Sequence, residues 1–385
     1  SVLIVLLSSL PYAAGYLVQT HGLRFAGAVF DLEDYHSHLA KMWQGYRGEW
    51  RYRLLFTPES HEGAYLQLFY VALGHLARVL RAELPLVYHV ARVGCGLVVL
   101  PVTYRFIALF LPLTPRRTAF LLAGMASGLG WLVEAVAPTV SGGISPIDFW
   151  LIDAYLFFSI FTFPHFSLST AALLGGFTFL LRHAPHPRVI DVALAVGAGW
   201  LLGLIHPYLL LVLDLVPAIY FSLRAWHDRR WPVHEGLAMA TLLVSQIPLL
   251  IYELWVFQVN PVFHAWSLQN QTMSPPPWHY VSGYGLVLGL ALVGFRTFWV
   301  RSAHASFPLI WLALVGGLSY LPWGLQRRFL EGAHVALCLV AAWGLARLIL
   351  RLGGARSRRL AWCITALAVV LASVSNLYLV ATYML

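Results

Sequence analysis

The chain has 385 residues, 59% of them hydrophobic and 11% charged, with a mean hydropathy of +0.73 and a formal net charge of +9. Soluble globular domains carry about 25% charged residues, so this composition excludes a water-soluble fold and predicts an all-α polytopic membrane protein with lipid as its solvent. Ten-residue strands of strict alternation, the mark of a β-barrel, are missing. The positive charge falls in short arginine-rich loops between apolar runs, which assigns it to membrane topology and predicts no nucleic-acid partner.

In chain order, the apolar run SVLIVLLSSLPYAAGYLV reads as a first span behind a trimmed N-terminus. A cleaved signal peptide fits less well, because no small-residue cleavage site precedes a polar start. Further spans are expected at 86–110, 117–137, 155–181, 188–205, 207–224, 235–257, 281–299, 306–322, 332–351 and 360–383, about 11 transmembrane helices in all. The range is 10–12, because His206-Pro207 separates two short runs that one kinked helix would also explain. Residues 21–85 form a long first external loop with juxtamembrane helices. Within it, Ala64–Leu80 has the 3.6-residue amphipathic repeat of a helix lying in the interface plane, although it is apolar enough to be mistaken for a span. The loops TPRR (114–117), RHAPHPR (182–188), RAWHDRRWPVH (224–234), RTFWVRSAH (296–304) and RLGGARSRR (351–359) are basic and alternate with acidic or uncharged ones. That places the basic loops and the N-terminus in the cytoplasm. The whole chain, 1–385, is expected to be a single transmembrane domain with no soluble domain. Cys95, Cys338 and Cys363 lie inside apolar runs, with no disulfide framework and no metal spacing. No cofactor is expected.

Polar groups are costly in a membrane protein, so their placement is informative. The densest cluster is the first external loop, with Asp31, Glu33, Asp34, His36, His38, Glu49, Glu59, His61 and Glu62. On a helix, Asp31, Asp34, Tyr35 and His38 share a face. Three readings stay open for this loop: a carboxylate general base, a His/Glu metal site, or a solvated helix start with Asp31 as its N-cap. His165 and His206 sit beside Pro164 and Pro207, where they either line a cavity or satisfy local backbone. Late in the chain, LPWGLQRRFLEG carries Arg327 and Arg328 on the side opposite to the basic loops. Two guanidinium groups there suit a phosphate. Alternatively, one snorkels to headgroups while the other pairs with Glu331.

The stretch from Phe30 to Arg78 resembles the first periplasmic loop of GT-C glycosyltransferases, integral membrane enzymes that use polyprenyl-phosphate-linked sugars. It is most similar to the protein O-mannosyltransferase and aminoarabinose-transferase branch. The residues carrying the resemblance are Asp31, Tyr35, Leu39, Met42, Gly45 and Trp50, then Ala64–Gly74 as the juxtamembrane helix and Arg92 at the next span. Leu32 stands where the branch has a second acid, with Glu33 after it. Ser60-His61-Glu62-Gly63 replaces the usual Pro pair.

The resemblance implies an inverting, metal-independent transfer of a sugar from a polyprenyl phosphate to a lipid-linked or other external acceptor. The site would face outward from the inner membrane of a bacterial cell envelope. Asp31 is the implied catalytic base, with Asp34 or Glu33 taking that role if the register is shifted. Arg327 and Arg328 would hold the phosphate, and Tyr35, His61, Glu62, His165 and His206 would contact substrate. The alternative is a non-catalytic membrane subunit or a transporter of lipids or sugar-lipids. A transporter normally places its ionisable groups at the midplane, whereas these acids gather at one surface. The expected partners are the lipid-linked sugar and membrane lipids; protein partners are not legible.

Overall fold

The computed structural model describes residues 1–136, 145–301, 303–353 and 357–384. The chain is all-helical; among the described residues it has no strand, only an isolated antiparallel bridge between Tyr52 and Ala64. In order, the helices are α1 (Val2–Leu17), α2 (Leu32–Tyr46), α3 (Leu68–Leu80), α4 (Leu84–Ala108), α5 (Leu113–Met125), α6 (Gly130–Val136), α7 (Leu156–Phe161), α8 (Pro164–Leu181) and α9 (Val189–Ile205). They continue with α10 (Leu210–Asp228), α11 (Val233–Val259), α12 (Pro261–Gln269), α13 (Pro277–Trp299), α14 (Ser306–Leu318), α15 (Ala333–Arg351), α16 (Arg358–Ala372) and α17 (Val374–Thr382).

Among the described residues, six helices are long and apolar enough to cross a membrane, and up to eight if each of two bent pairs counts as one span. This is an integral membrane protein, with fewer full-length spans by that measure than the eleven expected. The difference lies in α1, α9 and α14, which are apolar but have only 16, 17 and 13 residues. At about 1.5 Å per residue, such helices fall short of a hydrocarbon core about 30 Å thick.

The breaks have local causes. The expected span 117–137 bends by 52° between α5 and α6. There the Gly128 and Gly130 N–H groups both donate to Asp148 Oδ2 at 3.0 Å instead of to helix carbonyls. The expected span 155–181 breaks at Phe163-Pro164, because Pro has no N–H to continue a helix and suits its first turn. That break leaves the last carbonyls of α7 unpaired, and three side chains satisfy them. Tyr12 Oη donates to Phe161 O at 2.7 Å, Tyr88 Oη to Thr162 O at 3.0 Å, and Arg92 Nη1 to Ile160 O at 3.1 Å.

Arg92 was expected at the start of a span but lies about two turns inside α4. It is 2% exposed, bonded also to Ser9 Oγ, with its guanidinium 4.2 Å from the Tyr12 ring centre. Replacing Arg92 with leucine would strand the Ile160 carbonyl in an apolar setting and remove the bond to Ser9 Oγ. We expect a loss of at least about 1–3 kcal/mol, seen as a lower unfolding midpoint of the protein in detergent.

The first loop is a helical hairpin held by two glycines. A Cβ on Gly45 would sit 2.0 Å from Val71 O, and one on Gly74 would sit 1.9 Å from Met42 O. Each helix therefore touches the other's bare backbone. Gly45→Ala or Gly74→Ala should force the pair apart at a cost of about 1–3 kcal/mol. Because α2 carries the candidate acids, activity should fall along with the unfolding midpoint. A similar close contact, Gly294 against Gly344, seats α13 on α15.

Candidate functional site

The chain enters α2 through Asp31, whose backbone is left-handed at φ 48° and ψ 60°. Asp tolerates this region better than most residues. Its side chain accepts the Asp34 N–H at 3.3 Å, the bond of a helix N-cap. The capping reading of Asp31 therefore describes its local contact. Burial, and next the charge of Asp34, push the Asp31 carboxyl above its ordinary range, while Arg328 pulls it back. Glu33 and Asp34 are exposed in the first turn of α2.

The second half of the site comes from the other end of the sequence. The turn Gln326–Leu330 precedes α15, and its register is fixed from both sides. Arg327 N donates to Thr272 O at 3.1 Å, Ser274 N to Gln326 Oε1 at 2.9 Å, and Gln326 Nε2 to Leu321 O at 2.7 Å. Arg328 Nη1 lies 3.2 and 3.4 Å from the two oxygens of Asp153, whose side chain is 3% exposed. Burial works against the Arg328 charge, but Asp153, Tyr208 and Glu331 around it hold its pKa above the ordinary value. Arg327 stacks over Trp150 at 5.0 Å and has no ion-pair partner among the described residues; burial lowers its pKa.

These halves act on one another. The charge of Arg328 is felt at Asp31, and that of Asp34 at both arginines and at Lys41. Between them runs a buried polar layer. Lys41 Nζ is 3.2 Å from His38 Nδ1, and His38 stacks on Tyr70 at 4.1 Å. Tyr70 Oη is 2.6 Å from His165 Nδ1, and the His165 and His206 rings are 5.0 Å apart. His206 Nδ1 stands 2.7 Å from Glu331 Oε2, close enough for an ion pair although neither atom is aligned for a hydrogen bond. Ser169 Oγ donates to the other oxygen of Glu331. Glu331 thus pairs with His206 and Ser169, and Arg328 takes Asp153 instead.

The polar layer thus joins His165, His206 and the turn that carries Arg327 and Arg328 to α2, the helix that Asp31 caps and whose first turn carries Glu33 and Asp34. The other residues singled out from the sequence lie apart. Tyr35 is packed against Tyr88 and His89, 4.9 and 6.4 Å between ring centres, with its hydroxyl buried and unpartnered among the described residues. His61 serves its own loop: Nε2 accepts the Leu54 N–H at 3.0 Å, and its ring meets Phe263 of α12. Glu62 is exposed and faces Arg51 at 3.5 Å. Among the described residues, no three His, Cys, Asp or Glu side chains cluster as metal ligands.

Sequence reasoning gave Lys41 no role, although it is the sole lysine and stands seven residues, two helical turns, after Asp34. It expected Glu331 only as a partner for an arginine. The pairing of Asp153 with a residue 175 positions away left no local signal.

Beside the Gln326–Leu330 turn, α13, α14 and α15 line an open cavity of about 490 Å³. Its walls are apolar, including Leu288, Leu309, Leu312 and Leu337, and its polar end carries Tyr280, Tyr284 and His334.

No protein-family model matches the chain, and no curated protein matches it. Its fold is similar to that of the oligosaccharyltransferase of Archaeoglobus fulgidus, solved in the apo form, with a TM-score of 0.52 at 13% identity. The match covers 99% of this chain and 55% of that one, so the chain spans about half the length of that enzyme, and the likeness is one of fold.

Proposed function

We propose that this chain is a membrane glycosyltransferase of the GT-C kind, a single domain over 1–385 that moves a sugar from a polyprenyl-phosphate donor to an external acceptor. One observation carries the reading: one buried polar layer joins the arginine turn to the helix that begins with the acids, from Glu331 and His206 through His165 and Tyr70 to His38 and Lys41 of α2. The likeness in fold to a membrane oligosaccharyltransferase supports the reaction class, and the first-loop motif favours the O-mannosyl and aminoarabinose branch. Counting the six long helices, the two bent pairs and the shorter α1, α9 and α14 as spans gives eleven. The basic loops then lie in the cytoplasm of a bacterial inner membrane, and the site faces outward.

In the proposed step, the acceptor hydroxyl oxygen attacks the anomeric carbon and its proton passes to the Asp34 or Asp31 carboxylate. The bond from that carbon to the phosphate oxygen breaks on the opposite face, with inversion, and its electron pair leaves on the phosphate. Arg327, free of an acidic partner among the described residues, meets the phosphate, and Arg328 adds its charge from beside Asp153. Neither part of the step requires a metal. The cavity between α13, α14 and α15 suits the lipid tail, since its apolar walls end beside the arginine turn.

The test is to reconstitute the chain in nanodiscs with radiolabelled polyprenyl-phosphate hexoses and pentoses and a membrane extract as acceptor. Release of polyprenyl phosphate with transfer of label is the expected result. Donor binding without turnover would favour the accessory-subunit reading. A chain that neither binds nor consumes any donor overturns the proposal.

A further inference from the structure

The sequence has one lysine, and it is buried: Lys41 is 6% exposed. With Asp34 and His38 it forms an i, i+4, i+7 stripe on α2. Its ammonium has three protons to donate and one hydrogen-bonding neighbour among the described residues, His38 Nδ1 at 3.2 Å. The rings of Tyr52 and Tyr70 face it at 6.0 and 5.8 Å, within reach of a weak cation–π attraction. The charges that act on it are Asp34 on its own helix and Arg328 from the Gln326–Leu330 turn; His38 beside it also feels Arg328 and His206. No carboxylate among the described residues lies at ion-pair distance. A buried charge held this loosely is costly, and an apolar side chain of similar length would fill the place better. Packing therefore gives no reason for a lysine here.

A charge count around the site gives one. Arg328 is already matched by Asp153. On the reading proposed above, Arg327 is matched by the incoming phosphate once the donor is bound. The field of the two arginines at Asp34 would then be largely cancelled. Lys41 lies inside the fold, where the donor does not compete for it.

We propose that Lys41 is a positioning residue of this site: its buried ammonium, fixed through His38, is the counter-charge left to the Asp34 carboxylate after the donor phosphate has taken up Arg327. This inference rests on the glycosyltransferase reading but makes its own prediction. Burial pushes the Lys41 ammonium down to about 8, with Asp34 working in the opposite direction. The counter-charge is therefore present below about pH 8 and lost above it.

Because the lysine is alone in the sequence, lysine labelled with ¹⁵N at Nζ gives one side-chain signal from the whole chain in nanodiscs. Its midpoint should lie near pH 8, should fall in Asp34→Asn, and should rise in the wild type when undecaprenyl phosphate brings its negative charge into the site. Turnover of the wild type should decline above about pH 8. Lys41→Arg, which stays charged, should remain active there. Lys41→Met should lower kcat about 10- to 100-fold with KM little changed. A midpoint at the ordinary lysine value, or one unmoved by Asp34→Asn, overturns the inference even if Lys41→Met fails to fold. A wild-type chain that consumes no donor overturns the glycosyltransferase reading instead, whatever the lysine signal does.

Discussion

Arg328→Ala is expected to lower donor turnover by about 10²–10³-fold, the scale of losing one preorganised charge at the leaving group. It is also expected to destabilise the protein by about 3–5 kcal/mol, because it leaves a buried carboxylate without its partner. Asp153 is the reason for the second effect: its side chain is 3% exposed, and both its oxygens face the Arg328 guanidinium. The two effects separate in the double variant. Arg328→Ala with Asp153→Ala removes the stranded charge as well as its partner, so most of the stability should return while turnover stays low. If turnover returns with stability, Arg328 is a structural ion pair and the phosphate role falls to Arg327 alone. Arg328→Lys keeps a charge but loses the planar guanidinium and its further donors, and it should lie between wild type and alanine in both measurements.

The second large effect is expected at the head of α2. Removing the general base should cost about 10²–10⁴-fold in kcat, and the choice between Asp31 and Asp34 can be made with asparagine. Asn caps a helix about as well as Asp, so Asp31→Asn should leave the unfolding midpoint of α2 and of the whole chain nearly unchanged. If Asp31 takes the proton, Asp31→Asn loses activity as fully as Asp31→Ala. If Asp31 only caps, Asp31→Asn stays active and the loss appears in Asp34→Asn. The acid limb of the pH profile adds a check. Burial raises the Asp31 carboxyl, so a base at Asp31 is ionised only above a pH higher than the ordinary carboxylate value of about 3.9. Activity limited by Asp31 should fade correspondingly earlier as pH falls.

Much of the membrane architecture was legible from the residues. A stretch such as Val233–Val259 is apolar over most of its length, and lipid imposes the helix on it without tertiary help. The first loop was legible too, since α2 and α3 carry a strong amphipathic pattern and the Gly45 and Gly74 positions where their backbones touch. Bent helices were less so. Ala126–Leu129 reads as an apolar continuation, and only the capture of the Gly128 and Gly130 N–H groups by Asp148, 18 to 20 residues later, turns it into a break. His61 misled for a related reason: it sits in the richest cluster of acids and histidines, but its ring nitrogen is used by Leu54 N–H in its own loop.

By itself, then, the sequence determined that this is a helical membrane protein whose costly polar groups collect at two places, residues 31–62 and 326–331. Hydropathy and helix periodicity are local properties, and a single chain displays them in full. Only the tertiary structure decided which of those groups meet. It placed Arg328 on Asp153 and Glu331 on His206, while it turned Tyr35 and His61 elsewhere. Those pairings are set by where α2, α8, α9 and the turn before α15 pack, and contacts across 125 to 175 residues leave no period or spacing in the sequence from which they could be read.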